Sequence, residues 1–248
     1  VGSHFVGKSM ILHPHQKKIE IRNLSVSYGK NKALSNVSGT FQPNTLTAII
    51  GPNGGGKSTL VKAIQNQVKI ESGSITHNCE RICESGYLPQ QSDVDKNFPL
   101  TVREVVGMGL WPKLGSFRGY NTTEHQLITE ALKRVGLLKC EERRIDTLSG
   151  GQFQRMLFAR IYIQDASLII LDEPFTAIDS QTCDHLINII LEWYKKGKTI
   201  LVVLHNLDLV KKHFPETLLL GRSCIGWGPT KFVLTPKNIN QAFQNLLT

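Results

Sequence analysis

Eight consecutive residues, Gly51-Pro52-Asn53-Gly54-Gly55-Gly56-Lys57-Ser58, carry the spacing G-x-x-x-x-G-K-[ST]. Glycines at these positions leave no Cβ between the backbone N–H groups and an anion, so the loop can curl around a phosphate. The helical pattern that follows, with Thr59 in its first turn, aims its positive end at the same anion. In such a loop Lys57 reaches the β- and γ-phosphates of a nucleotide and the Ser58 hydroxyl binds Mg²⁺. A Gly-rich turn that only precedes a helix would look similar locally. Here the apolar run Leu46-Thr47-Ala48-Ile49-Ile50 also comes before it, and both flanks agree with phosphate binding.

A second group of chemical residues lies downstream. Leu168-Ile169-Ile170-Leu171 reads as an apolar strand that delivers Asp172 and Glu173 at its C-terminal end, where open α/β sheets bind ligands. Asp172 suits Mg²⁺, held through water, and Glu173 is then positioned to polarise an attacking water as a general base. Acidic residues also favour the first turn of any helix, so the pair alone is ambiguous. The upstream phosphate loop favours the chemical reading.

These residues need elements to hold them. Ile19 to Ser27 alternates apolar and polar residues, with a slip, up to the turn signal Tyr28-Gly29, which predicts an edge strand of an antiparallel sheet. Leu46 to Ile50 predicts a buried parallel strand, and Lys57 to about Gln67 a helix with Leu60, Val61 and Ile64 on one side. Helices are expected over Thr101 to Met108, over Thr123 to Val135 with Gly136 as a stop, and from Gly150 to about Gln164. They suggest a helical insertion in an α/β core. The core pattern resumes with a strand at Leu168 to Leu171, a helix from Ser180 to Lys196 ended by Gly197, and a strand at Thr199 to Leu204. A helix begins near Asn206-Leu207-Asp208, and the tail after Leu218 has strand-like pieces and a final helix.

Bulk properties set limits. The 248 residues are 40% hydrophobic, with no run approaching the roughly 18 apolar residues of a membrane span and no signal-peptide pattern at the start. Val1-Gly2-Ser3-His4 reads like a cloning remnant, and a soluble cytoplasmic chain is the expectation. Five scattered cysteines favour reduced thiols. Cys79 and Cys83 with His77 could be imagined as metal ligands, but no second ligand pair with zinc-site spacing follows, so small structural residues are expected there. The net charge of +9 suits anionic partners and does not choose among ATP, lipid headgroups and nucleic acid. Its cations come in short pairs such as Lys17-Lys18 and Lys211-Lys212 rather than in a tract.

Leu148-Ser149-Gly150-Gly151-Gln152 narrows the class. A Ser and two glycines at a helix start form either an ordinary N-cap or a second anion-binding N-terminus. With this motif the chain resembles the ATP-binding cassette (ABC) family, from about Ile19 to Leu220 and with all motifs in the family's order. The resemblance implies an α/β fold: a P-loop NTPase (RecA-like) core, an antiparallel β subdomain and an inserted α-helical subdomain. It implies one nucleotide-binding domain over residues 18–248, its helical part about 95–165, after an N-terminal extension of residues 1–17.

The resemblance also implies roles. Tyr28 falls where the family stacks an aromatic ring on adenine. Gln90, in Tyr87-Leu88-Pro89-Gln90, matches the glutamine that contacts Mg²⁺ and the hydrolytic water and moves with the transport partner. Asp179, in Thr176-Ala177-Ile178-Asp179, matches a loop that crosses a dimer interface, and His205 matches the switch histidine near the γ-phosphate. Two positions depart from the pattern: Asn206 where Asp is usual, and Ile178 where Leu is common. The family's working unit is a head-to-tail pair, each ATP lying between one copy's phosphate loop and the other copy's Ser149-Gly150-Gly151. A separate transmembrane permease would receive the motion, with this chain at the cytoplasmic face of the membrane.

Phe98 to Gly109, continuing to Lys113-Leu114-Gly115, and the triple glycine Gly54-Gly55-Gly56 look like the ATPases of bacterial manganese and zinc importers. The metal would be handled by the permease and a metal-binding substrate protein. An importer for iron chelates or another small nutrient is the nearest alternative. A soluble ABC ATPase acting on nucleic acid or ribosomes is disfavoured, because such proteins insert long coiled coils or join two cassettes, and here one cassette fills the chain. Nucleic acid is not an expected partner.

Overall fold

The computed structural model describes residues 18–77, 85–116, 118–176 and 178–246. Cys79 and Cys83 lie outside them, as do the N-terminal extension and Ala177. The other cysteines, Cys140, Cys183 and Cys224, are free thiols.

Two sheets organise the chain. The antiparallel one has the order β2-β1-β4, from β1 (Ile19–Tyr28), β2 (Asn31–Phe41) and β4 (Ser72–His77). β1 therefore pairs on both sides and is the central strand, not the expected edge. The alternation slips because the register shifts between Ile21 and Leu24, where Asn23 takes a positive φ of 49°. Both ladders thus continue past a local kink.

The second sheet has the order β5-β6-β7-β3-β8-β9. Its strands are β3 (Leu46–Ile50), β5 (Ser85–Leu88), β6 (Leu168–Asp172), β7 (Thr199–Val203), β8 (Glu216–Gly221) and β9 (Ser223–Pro229). All pairings are parallel except the last, β8 with β9. β3, β6 and β7 are buried along their whole length, which explains their unbroken apolar runs. The C-terminal ends of these three neighbouring strands carry Gly51, Glu173 and Leu204-His205 to one edge of the sheet.

Helix α1 (Lys57–Ile64) packs on the face shared with the antiparallel sheet, burying Leu60, Val61 and Ile64 beside Ile49, Ile170 and Val203. It stops three residues before the expected Gln67, since Asn66 adopts a left-handed φ of 55°. Between β5 and β6 come α2 (Val102–Gly107), α3 (Trp111–Leu114), α4 (Thr122–Arg134) and α5 (Gly150–Gln164). Capping boxes start three of them: Thr101 with Glu104, Asn121 with Glu124, and Ser149 with Gln152. α5 and α6 (Ser180–Lys195) cover the opposite face, where Phe158 stacks on the buried Trp193 at 5.8 Å between ring centroids. α7 (Leu207–His213), α8 (Thr230–Val233) and α9 (Pro236–Gln244) complete the chain's helices among the described residues.

Candidate functional site

The phosphate loop is shaped by close packing. At Gly51 a Cβ would lie 2.1 Å from the Leu220 carbonyl oxygen, so β8 runs against the loop with no room for a side chain. Gly56, the residue that starts α1, has φ 92°, and a Cβ there would meet Leu34 Cδ2 at 2.4 Å. Its left-handed backbone turns the chain from loop to helix. No side chain caps α1 and no acidic residue sits in its first turn. The N–H groups of Lys57, Ser58 and Thr59, which have no partner within the helix, are thereby left to an anion.

Lys57 is buried, and its Nζ donates to the carbonyl oxygens of Gly51 at 2.9 Å and Pro52 at 3.0 Å. Burial pushes its ammonium below the usual lysine range, while Glu173 and Asp172 act in the opposite sense. The cation is thus folded back into its own loop, near two carboxylates.

Asp172 ends β6 at 1% exposure. Burial pushes its carboxyl up to about 6, the Ser58 hydroxyl and the Gln90 amide pull it down, and neighbouring Glu173 pushes it up further. Its Oδ1 is buried with no hydrogen-bond partner. An orphaned carboxylate oxygen beside a serine hydroxyl is a hard-oxygen donor set that fits Mg²⁺, with Asp172 and Ser58 as the residues that would hold it.

Glu173 is the hub. Its Oε1 accepts from Gln90 Nε2 at 3.0 Å and from His205 Nε2 at 2.6 Å. The Gln90 amide also donates to Ser58 Oγ at 3.1 Å, so one side chain spans the helix start and the carboxylate. Among the described residues Oε2 meets the Thr176 hydroxyl alone, at 3.4 Å, which leaves it able to take a proton from a water. The Glu173 backbone holds a φ of 51°, and its N–H donates to Val203 O on β7 at 3.2 Å. A left-handed non-glycine residue costs on the order of 1–3 kcal/mol and persists where its surroundings fix it. A cavity of about 420 Å³ opens beside it, lined by Glu173, Thr176, His205, Asn206 and the apolar Phe175 and Leu209.

The structure thus brings Ser58, Gln90, Asp172, Glu173 and His205 into one hydrogen-bonded cluster beside Lys57. The remaining expected residues sit elsewhere. Tyr28 is half exposed at the end of β1. Asp179 caps α6, accepting from Thr182 N at 2.8 Å and Thr182 Oγ1 at 2.7 Å, and these bonds hold its carboxyl below the usual range. Ser149 and Gln152 close on each other at the exposed start of α5, with Gly150 and Gly151 in its first turn. Asn206, the departure from the family's usual Asp, caps α7 by accepting from Asp208 N and Leu209 N, both at 3.0 Å. Asn and Asp do this equally well, so the change keeps the backbone after His205 in place. Thr176 and Gln91, whose amide donates to Gly150 O at 3.4 Å, were not singled out by sequence reasoning. Gln91 meets a distant segment, which no local spacing marks, whereas Thr176 meets Glu173 only three residues before it.

Residues 34–176 match the family described as ABC transporter. The manganese transport system ATP-binding protein MntB of Halalkalibacterium halodurans is 37% identical over 237 residues, covering 93% of this chain and 94% of that protein. The chelated iron transport system membrane protein YfeB of Yersinia pestis is 33% identical over 237 residues, covering 93% of this chain and 80% of that protein. Among solved structures, a metal-chelate type ABC transporter in an inward-facing conformation superposes with a TM-score of 0.80 at 26% identity, over 92% of this chain and 89% of that one. The family match spans more than half of the chain, and the relatives align along nearly all of it: this protein belongs to the ABC transporter family.

Proposed function

We propose that this chain is the ATP-hydrolysing subunit of an importer that carries a divalent transition metal, manganese or zinc, through a separate permease. The Glu173 carboxylate carries the hydrolytic half of this reading, since it is held between Gln90 and His205 and lines the neighbouring cavity. The similarity to a manganese transport subunit over 93% of the chain supports the cargo class.

In this reading ATP draws Lys57 Nζ away from the Gly51 and Pro52 carbonyls and onto the β- and γ-phosphates. The free N–H groups at the start of α1 hold the phosphate chain, and Tyr28 stacks on the base. Ser58, Asp172 and Gln90 would hold Mg²⁺, which would supply positive charge beside the phosphates. Glu173 takes the proton of the attacking water, His205 orients Glu173 and faces the γ-phosphate, and Gln90 relays the state of the site to the permease. Ser149, Gly150, Gly151 and Gln152 of a second copy close over the nucleotide, with Asp179 at the junction. Hydrolysis then loosens the pair. The chain would work at the cytoplasmic face of the membrane; among the described residues no helix is long and apolar enough to cross it.

A second reading, an importer of iron chelates, draws on the chelated iron relative and the metal-chelate transporter. The two separate in vesicles holding this chain with the permease that copurifies with it. Saturable, ATP-dependent uptake of free Mn²⁺ or Zn²⁺ supports the first. Uptake of an iron chelate alone overturns it in favour of the second.

A further inference from the structure

The segment between α4 and the start of α5 ends in Ser149-Gly150-Gly151, and it is strapped to the beginning of α2. The N–H groups of Val102 and Arg103, which the helix itself leaves unpartnered, donate to Arg143 O at 3.0 Å and Glu141 O at 2.9 Å. Ile145 N–H donates back to Leu100 O at 3.0 Å, and Thr101 and Arg144 form an isolated bridge. The segment is also braced internally. Arg143 Nη2 donates to Thr147 O at 2.7 Å, Arg144 pairs with Asp146, and Ile145 is buried in the core.

One side chain joins these parts. The Arg103 guanidinium, on α2, donates through Nη1 to Glu141 Oε2, pairing with the strapped segment. It reaches α4 through Thr129 Oγ1 at 3.4 Å and His125 O at 3.3 Å. A planar fork with fixed donors can hold several acceptors in one arrangement, as a flexible lysine ammonium cannot. We propose that Arg103 is a positioning residue for Ser149-Gly150-Gly151. It fastens α2, α4 and residues 141–148 into one body, so that displacement of α2 is carried to the start of α5. The inference rests on the proposed reading in which Ser149-Gly150-Gly151 completes the nucleotide site of a second copy.

The test uses the full chain carrying Glu173→Gln, alone and combined with Arg103→Gln, Arg103→Lys or Glu141→Gln. Light scattering follows pairing as MgATP is raised, and a fluorescent ATP analogue reports nucleotide affinity at dilute protein. Loss of these charge-assisted bonds should raise the ATP concentration for half-pairing about tenfold in the Arg103→Gln and Glu141→Gln chains, with incomplete recovery in Arg103→Lys. Nucleotide affinity of the single chain should stay unchanged, a split that general unfolding would not produce. Equal pairing curves with and without Arg103 would overturn the positioning role and leave the shared site standing. Parallel losses of pairing and single-chain affinity would overturn it as well. Failure of the Glu173→Gln parent to pair would overturn the shared site itself.

Discussion

Burial gives Asp172 an electrostatic cost that can be measured. With its carboxyl pushed up to about 6 by burial, the folded chain holds a proton that the unfolded chain has released. The contribution of Asp172 to the stability of the metal-free protein is therefore fully present below the ordinary aspartate range and is lost as pH rises through about 6. Asp172→Asn removes this cost. In chelator, denaturant titration should find the variant about 2–3 kcal/mol more stable than the parent at pH 8, the gap closing as pH falls below the ordinary aspartate range. The same change should abolish Mg²⁺-dependent hydrolysis. Glu173→Gln should lower the hydrolysis rate about 100- to 10,000-fold, as loss of a general base does, without weakening nucleotide binding. Lys57→Ala should weaken binding of a fluorescent ATP analogue roughly tenfold or more, since a charge-assisted phosphate contact is lost. These residues were legible because their chemistry lies in short contiguous strings. The bridge from Gln90 to both Ser58 and Glu173 was not, for it depends on β5 lying beside β6.

The buried strands and capped helices announced themselves at the level of elements. Leu46 to Ile50 and Leu168 to Asp172 are apolar runs because both faces are covered, and α5 begins where Ser149 and Gln152 form a capping box. β2 and β4 gave no comparable signal. β4 is largely exposed, Ser-Gly-Ser-Ile-Thr-His, and β2 mixes buried and exposed positions without clean alternation. Both are held by pairing to β1, a long-range contact that local pattern does not report. The same long-range pairing makes β1 central although its sequence pattern is that of an edge. Asn206 is legible in the other direction, as an N-cap whose two bonds hold the turn after His205. Asn206→Ala should cost about 1 kcal/mol in denaturant unfolding and lower hydrolysis, while Asn206→Asp should retain both.

Across the whole molecule, the proposed nucleotide site is divided between two copies of the chain. The Gly51–Ser58 loop, the carboxylates and His205 meet at one edge of the parallel sheet, while Ser149-Gly150-Gly151 begins a helix of the insertion between β5 and β6. Both motifs are legible in the sequence without the distance between them, because each is local and their separation is set by how α2 to α5 pack on the sheet. The most direct measurement is the mass in solution of the Glu173→Gln chain, by light scattering, with MgATP, with MgADP and with neither. A divided site predicts twice the single-chain mass with MgATP alone, and reversion to one chain when Ser149 is replaced by Arg in the same background. A single-chain mass at saturating MgATP, or a pair that forms equally well with Ser149→Arg, would contradict it.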